Sequence, residues 1–442
     1  MDDPASFRGL PVPSKRWSRL WHMGRATTDM AVGIGVRGMI ELARARGENP
    51  SRVRMSPEAT RRVTDRLARM RGAVMKMGQL MSMDGTDVFT PEVAEVMATL
   101  RDRAEPMPIG QLAQVLDAEL GADWNKRFQR FEFTPIAAAS IGQVHRAETR
   151  DGRRLALKIQ FPGVRESIDS DVDNMRFLSR TLGMMPKNMD VGPMLDETRR
   201  QLHREADYLA EADAMEAYRA LIGEDPDFLV PEVHRDLSTS RVLAMTFADG
   251  ISVDRLRDTS YTRAERDRVA SLLTRLMLRE LFEFAMVQTD PNFSNFLYDA
   301  TTGRVALLDF GAAQPVAPPV VEGFRLLGRA ALADDPAGLR EASIALGYIA
   351  ADEPPERIDA LVGLIRLSSE MLRVEGPYDF GTSNLSERVF NHGRNLYLED
   401  NFSRPPEPAT LFLHRKFAGT FMLCRRLRAR VDLAGMMREL LA

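Results

Sequence analysis

The chain's 442 residues suffice for two or three packed units, and a hydrophobic share of 44% supports a sizeable core. A net charge of −3 and a pI near 6.2 leave no strongly basic domain, which argues against a nucleic-acid binder. The single cysteine, Cys424, excludes a disulfide framework and a cysteine metal cluster and is expected to be a buried thiol; the six histidines show no metal-ligand spacing.

Residues 1–15 carry Pro4, Pro11 and Pro13 and read as a disordered terminus. Residues 16–46 read as a helix with Trp17, Leu20, Trp21, Met30, Val32, Ile34, Val36, Met39 and Ile40 set among arginines and glycines. That mixture fits a membrane-interface element or a helix packed on the domain. No uninterrupted apolar stretch reaches the length of about 20 residues that a bilayer-spanning helix needs, and no secretory signal is visible. Ser56-Pro57-Glu58 opens a helix that runs to about Met83 and carries Lys76-Met77-Gly78-Gln79. Gly78 reads as a helix C-cap, but the apolar run continues through Leu80-Met81. Inside a helix a glycine costs about 1 kcal/mol against alanine, which a close backbone approach would justify.

Thr90-Pro91-Glu92 starts another helix, residues 109–130 read as helical, and a β-rich segment begins at Phe131-Glu132-Phe133. A strand from Gln143 to Thr149, the Asp151-Gly152 hairpin turn and the strand Leu155-Ala156-Leu157-Lys158 follow. Residues 165–182 read as a helical insertion and residues 194–221 as one long helix. Phe228 to Val233 and Arg241 to Phe247 read as strands, and residues 262–287 as a helix. Everything after about residue 318 reads as helical, broken near Ser403-Arg404-Pro405-Pro406.

The strongest chemical signal lies between Thr289 and Gly311. Asp290 and Asn295, five positions apart, precede two short apolar runs joined at Thr302-Gly303 and ending in Asp309-Phe310-Gly311. This is the layout of a kinase catalytic loop and its metal-binding triplet. Asp290 can orient or deprotonate a hydroxyl, Asn295 can reach a magnesium ion, and Asp309 can bridge that metal to the β- and γ-phosphates.

A phosphate loop and a lysine should then lie upstream. Residues 137–144 align with a G-x-G-x-x-G-x-V loop as Ala137-x-Ala139-x-x-Gly142-x-Val144, with Ala138 and Ser140 between. Lys158 follows at the expected distance. Only six lysines stand against 54 arginines, so a lysine marks a place that needs a compact point charge. Glu205, Asp207 and Glu211 share the segment read as one long helix. Six positions separate Glu205 from Glu211, an angle of about 120° on an unbroken helix, so they cannot share a target.

Lys76-x-Gly78-Gln79, Ala137-Ala138-Ala139-Ser140, Glu205-x-Asp207 and Gln288-Thr289-Asp290-Pro291-Asn292-x-Ser294-Asn295 occur in this order. Together they resemble the UbiB/AarF (ADCK) family of atypical kinases over roughly residues 20–440. The catalytic loop is most similar to the branch tied to coenzyme Q biosynthesis. The resemblance implies an α+β, protein-kinase-like bilobal fold with an N-terminal helical extension and a helix-rich C-lobe. Its divisions would be residues 16–130 for the extension, 131–250 for the N-lobe and 251–442 for the C-lobe. It further implies ATP and Mg2+ as cofactors, a Glu211–Lys158 pair, and a regulatory pairing of Glu205-x-Asp207 with Lys76-x-Gly78-Gln79 over the nucleotide site. The adenine hinge would lie at Ala244 to Ala248, where Met245-Thr246 replaces the family's usual Met-Glu.

Two departures from ordinary protein kinases stand out. Gln288-Thr289 replaces the His-Arg before Asp290, and no Ala-Pro-Glu follows Asp309-Phe310-Gly311. The leading expectation is a magnesium-dependent ATPase or kinase acting on a small-molecule or prenyl-lipid acceptor, cytoplasmic or peripheral at a membrane. The alternatives are a nucleotide-binding pseudokinase scaffolding a biosynthetic complex, or an antibiotic-type small-molecule phosphotransferase.

Overall fold

The computed structural model describes residues 106–139, 141–181, 192–258, 260–290, 292–350, 352–399 and 408–442. The expectations placed on residues 1–105, including Lys76, Gly78 and Gln79, and on Ser140 lie outside them. Two compact units share the chain. The first takes in the described residues up to Glu216 together with Glu232–Phe247; the second comprises the described residues of Ala217–Pro231 and Ala248–Ala442.

The first unit opens with α1 (Ile109–Leu120), which buries Leu112, Val115, Leu116 and Leu120. The expected helix over residues 109–130 stops there, because Gly121 turns the backbone to φ +89°. A short 3-10 turn at Trp124–Arg127 leads instead into β1 (Phe128–Phe131). Strands β2 (Ala137–Ala138), β3 (Gly142–Thr149) and β4 (Arg154–Gln160) follow. They form an antiparallel sheet in the order β1-β3-β4 with Val242–Thr246, while β2 pairs with β3. In β4, Leu155, Leu157 and Ile159 are fully buried on one face, while Ala156 and Lys158 alternate to the other.

Helices α2 (Val164–Thr181) and α3 (Gly192–Glu205) precede α4 (Tyr208–Ile222). The expected long helix over 194–221 is therefore two. Asp207 accepts a hydrogen bond from the backbone N–H of Ala210 (3.2 Å), so its side chain caps a new helix start. The 120° argument, which assumed an unbroken helix, does not apply across this break. The expected strand Phe228–Val233 also divides. β5 (Phe228–Leu229) pairs with a strand of the second unit, whereas Val233 bridges Met245 within the first, where β6 is Val242–Thr246.

In the second unit, β7 (Ile251–Ser252) precedes α5 (Arg263–Phe282), which opens with a reciprocal capping box between Thr262 and Glu265. Beyond α5, β8 (Met286–Gln288) leads to the hairpin of β9 (Phe296–Asp299) and β10 (Arg304–Leu307). β11 (Ala313–Pro315) then returns antiparallel to β8. The remaining chain forms α6 (Pro318–Leu332), α7 (Pro336–Ala345), α8 (Pro355–Ser368), α9 (Leu385–Glu399), α10 (Pro408–Leu427) and α11 (Leu433–Leu441). It is not wholly helical: Tyr378–Asp379 and Arg430–Val431 pair as β12 and β13. Leu278, Leu281, Val287, Phe324, Leu339, Leu413 and Leu441 centre the apolar core.

Cys424 on α10 is 1% exposed and lies 3.5 Å from the Thr274 hydroxyl. Burial pushes its thiol up to about 12, so the nucleophilic thiolate is suppressed. The native protein is expected to resist an aromatic disulfide reagent at mildly alkaline pH and to release one thiol equivalent only on denaturation. Rapid stoichiometric labelling of the folded chain would contradict this placement.

Candidate active site

In the first unit, Lys158 reaches the site from β4. Its Nζ donates to both carboxylate oxygens of Glu211 on the first turn of α4, at 2.8 and 2.9 Å. Lys158 is 6% exposed and Glu211 1%. The ammonium also lies 5.2 Å from the ring centroid of Tyr208, the first residue of α4. A buried charge pair of this kind endures only because each charge is answered by the other. The restart of α4 after Asp207 sets the direction of Glu211. Asp207 itself is occupied as the cap and lies 3.6 Å from Arg165. Glu205, at the end of α3, is 7% exposed.

The alanine-rich loop is built as a hairpin tip. Ala137 pairs with Val144 and Ala138 with Gln143, and the Ala139 N–H donates to the Gly142 carbonyl at 2.9 Å. None of the three alanines takes a positive φ, so the left-handed freedom of a glycine loop is not used here. Gly142 is required for another reason. A Cβ at this position would lie 2.4 Å from the Ile159 carbonyl oxygen and 2.8 Å from the Tyr208 hydroxyl. Tyr208 escaped the sequence reading although it backs both the glycine and the lysine; a tyrosine beside a capping aspartate carries no pattern of its own. Met245 sits inside the sheet, between β4 and the Val233 bridge, and is 4% exposed.

In the second unit, the catalytic-loop candidate is fixed by its neighbours. Thr289 donates to the Ala312 carbonyl through both its N–H (3.2 Å) and its hydroxyl (2.8 Å). Asn292 accepts from the Ser294 N–H and so starts the short turn Phe293–Asn295. The Leu308 N–H donates to the Asn295 carbonyl at 3.0 Å, which brings Asn295 beside the segment ending in Asp309. Asp309 accepts from the Gly311 N–H at 3.0 Å, and Phe310 is buried against Tyr218 with ring centroids 4.9 Å apart. Asp290 and Asn295 are each 9% exposed.

The side-chain amide nitrogen of Asn295 is buried without a hydrogen-bond partner. An amide that presents its oxygen, together with the Asp309 carboxylate, is a hard oxygen pair suited to Mg2+. No group of three or more His, Cys, Asp or Glu among the described residues forms a metal site by itself. Two protein ligands match an ion whose remaining positions go to phosphate oxygens and water. The residues present therefore fit the group.

Residues 99–343 match the family described as ABC1 atypical kinase-like domain. The chain is 36% identical over 439 residues to the atypical kinase COQ8, mitochondrial, of Saccharomyces cerevisiae, covering 99% of this chain and 87% of that protein. It is 36% identical over 433 residues to the atypical kinase COQ8B, mitochondrial, of Rattus norvegicus, covering 96% and 80%. Among solved structures, Rv3197 of Mycobacterium tuberculosis, described in complex with erythromycin, superposes with a TM-score of 0.60 at 25% identity, over 87% of this chain and 95% of that one.

Lys158→Ala leaves Glu211 buried and unanswered and is expected to cost about 3–5 kcal/mol of stability. Replacing both residues by methionine should recover most of that loss while leaving nucleotide binding impaired. Denaturant titration together with nucleotide thermal shift measures both; a double variant no more stable than Lys158→Ala would show that the pair is not the source of the cost.

Proposed function

The chain belongs to the ABC1 atypical kinase-like family, and on that premise we propose that it uses ATP and Mg2+ in a reaction supporting quinone or prenyl-lipid metabolism. It is an atypical kinase and not a generic protein kinase. The observation that carries the assignment of roles is the buried, two-oxygen contact between Lys158 and Glu211, the pairing a kinase needs before its lysine can orient phosphates.

In this reading Lys158 contacts the α- and β-phosphates, and the loop from Ala137 through Ser140 to Gly142 and Val144 covers them. Met245 marks the strand that leads to the adenine hinge. Asn295 and Asp309 would hold Mg2+, which would supply neutralisation of charge on the transferred phosphoryl group. Asp290 orients the acceptor hydroxyl, or water, and takes its proton. Glu205, Asp207, Lys76, Gly78 and Gln79 act as the regulatory set.

The second unit supports a small or lipid-like acceptor. Directly after Asp309-Phe310-Gly311 the chain enters β11, and α6 begins at Pro318 with a proline in its first turn. A peptide-docking activation loop has no room in that interval. The acceptor class is then a prenyl lipid or other small molecule, met at a membrane surface through residues 16–46. No helix among the described residues is long and apolar enough to cross a membrane.

Asp309→Asn is expected to remove the magnesium-dependent part of ATP stabilisation in a thermal-shift assay. Unchanged stabilisation would sink the metal assignment. Metabolite profiling of a deletion strain should show loss of a quinone or prenyl lipid. Phosphorylation of a generic protein substrate at rates matching ATP hydrolysis would instead overturn the acceptor class.

A further inference from the structure

We propose that the buried ion pair between Glu280 on α5 and Lys416 on α10 positions both ends of the catalytic loop and the Asp-Phe-Gly segment, with Tyr218 as the link to that segment. The inference rests on the roles proposed above for Asp290, Asn295 and Asp309.

Glu280 is fully buried and Lys416 is 4% exposed, with Lys416 Nζ 2.7 Å from Glu280 Oε2. The other carboxylate oxygen of Glu280 receives two donors. One is the Tyr218 hydroxyl at 2.7 Å, and the other is the backbone N–H of Gln288 at 3.2 Å. Gln288 is the residue two before Asp290, so the carboxylate grips the start of the loop. The ammonium of Lys416 lies 5.9 Å from the ring centroid of Phe296, the residue after Asn295, so the cation holds its end. The ring of Tyr218 packs on Phe310, whose preceding residue is Asp309. Asn295 and Asp309 therefore each adjoin a residue tied to one charge pair, and Asp290 lies two residues beyond a third.

Energetics favour a role beyond packing. Removing two charges from water costs several kcal/mol per ion, and apolar replacements of similar volume are often neutral or stabilising. Two helices with apolar inner faces need no ion pair to pack. The arrangement is also stable to titration of its link: burial first, and then the Glu280 charge, raise the Tyr218 phenol well above its ordinary value, so it remains a donor. A lysine in this chain is rare, and Lys416 is placed where it is almost wholly buried.

The test uses the full chain and compares wild type with Glu280→Gln/Lys416→Met, Tyr218→Phe and Asp309→Asn. Glu280→Gln/Lys416→Met keeps an acceptor for Gln288 and Tyr218 but removes both charges. It is expected to retain or raise the thermal midpoint, lower the turnover of ATP hydrolysis about tenfold, and leave the KM for ATP nearly unchanged. The magnesium concentration for half-maximal rate should rise several-fold. Tyr218→Phe keeps the ring on Phe310, folds with little perturbation, and should shift the magnesium requirement in the same direction by a smaller factor. Wild-type turnover and magnesium requirement in both variants, with Asp309→Asn inactive, would overturn this inference alone. Turnover and midpoint lost together in both variants would reduce the pair to a structural element and overturn it as well. An active Asp309→Asn would remove the reading on which it stands.

Discussion

The first unit is organised by one constraint: a lysine and a glutamate are held out of water and must answer each other. Lys158 comes from the middle of a strand whose opposite face is packed with Leu155, Leu157 and Ile159, so it has no other direction to take. Glu211 must come from a helix that points at that strand, and it does because α4 starts afresh at Tyr208. Asp207 makes the restart possible by satisfying a backbone N–H that a broken helix would otherwise leave bare. Tyr208 completes the arrangement from beneath, filling the space against Gly142 that any larger residue would need. Strand, cap, tyrosine and glycine thus converge on one contact.

The second unit solves a different problem with similar means. The groups proposed to be functional in it lie on a loop, where backbone conformation is not fixed by a ladder. Order is imposed from both sides. Ala312 accepts both donors of Thr289, Asn292 starts a turn, and Leu308 ties down Asn295. Beneath these local bonds lie Glu280 and Lys416, joined through two helices far apart in the chain. Local bonds shape the loop; the buried pair relates it to the body of the unit.

What could be read from the sequence was whatever depends on short spacing. Asp290 and Asn295 lie five residues apart, the β9–β10 hairpin closes on Gly303 at φ +72°, and Asp309 follows at once. The β3–β4 hairpin announced itself through Asp151-Gly152, and with it the position of Lys158. The break at Asp207 was hidden because charged and apolar residues continue on both sides of it with helical composition. Its cap bond goes to Ala210, a residue with no side-chain signal. The division of Phe228–Val233 between two units turns on which partner strand each half meets, and no local pattern encodes that. Glu280 lies in a helix that also carries arginines and Glu265, and Lys416 in another beside Arg415. Each alone reads as a charge bound for solvent, and only the fold places them together.

The link from Gly311 into α6 has a consequence for control. Every part of it is anchored: Ala312 holds Thr289, Ala313 to Pro315 pair with β8, and the Val316 N–H donates to the Ala285 carbonyl before Pro318 begins the helix. A tether with no slack cannot be folded aside and later released, so among the described residues this interval holds no hinged latch of the kind through which many signalling kinases are armed by an upstream enzyme. Restraint must then be exercised at the doorway, by deciding what is admitted.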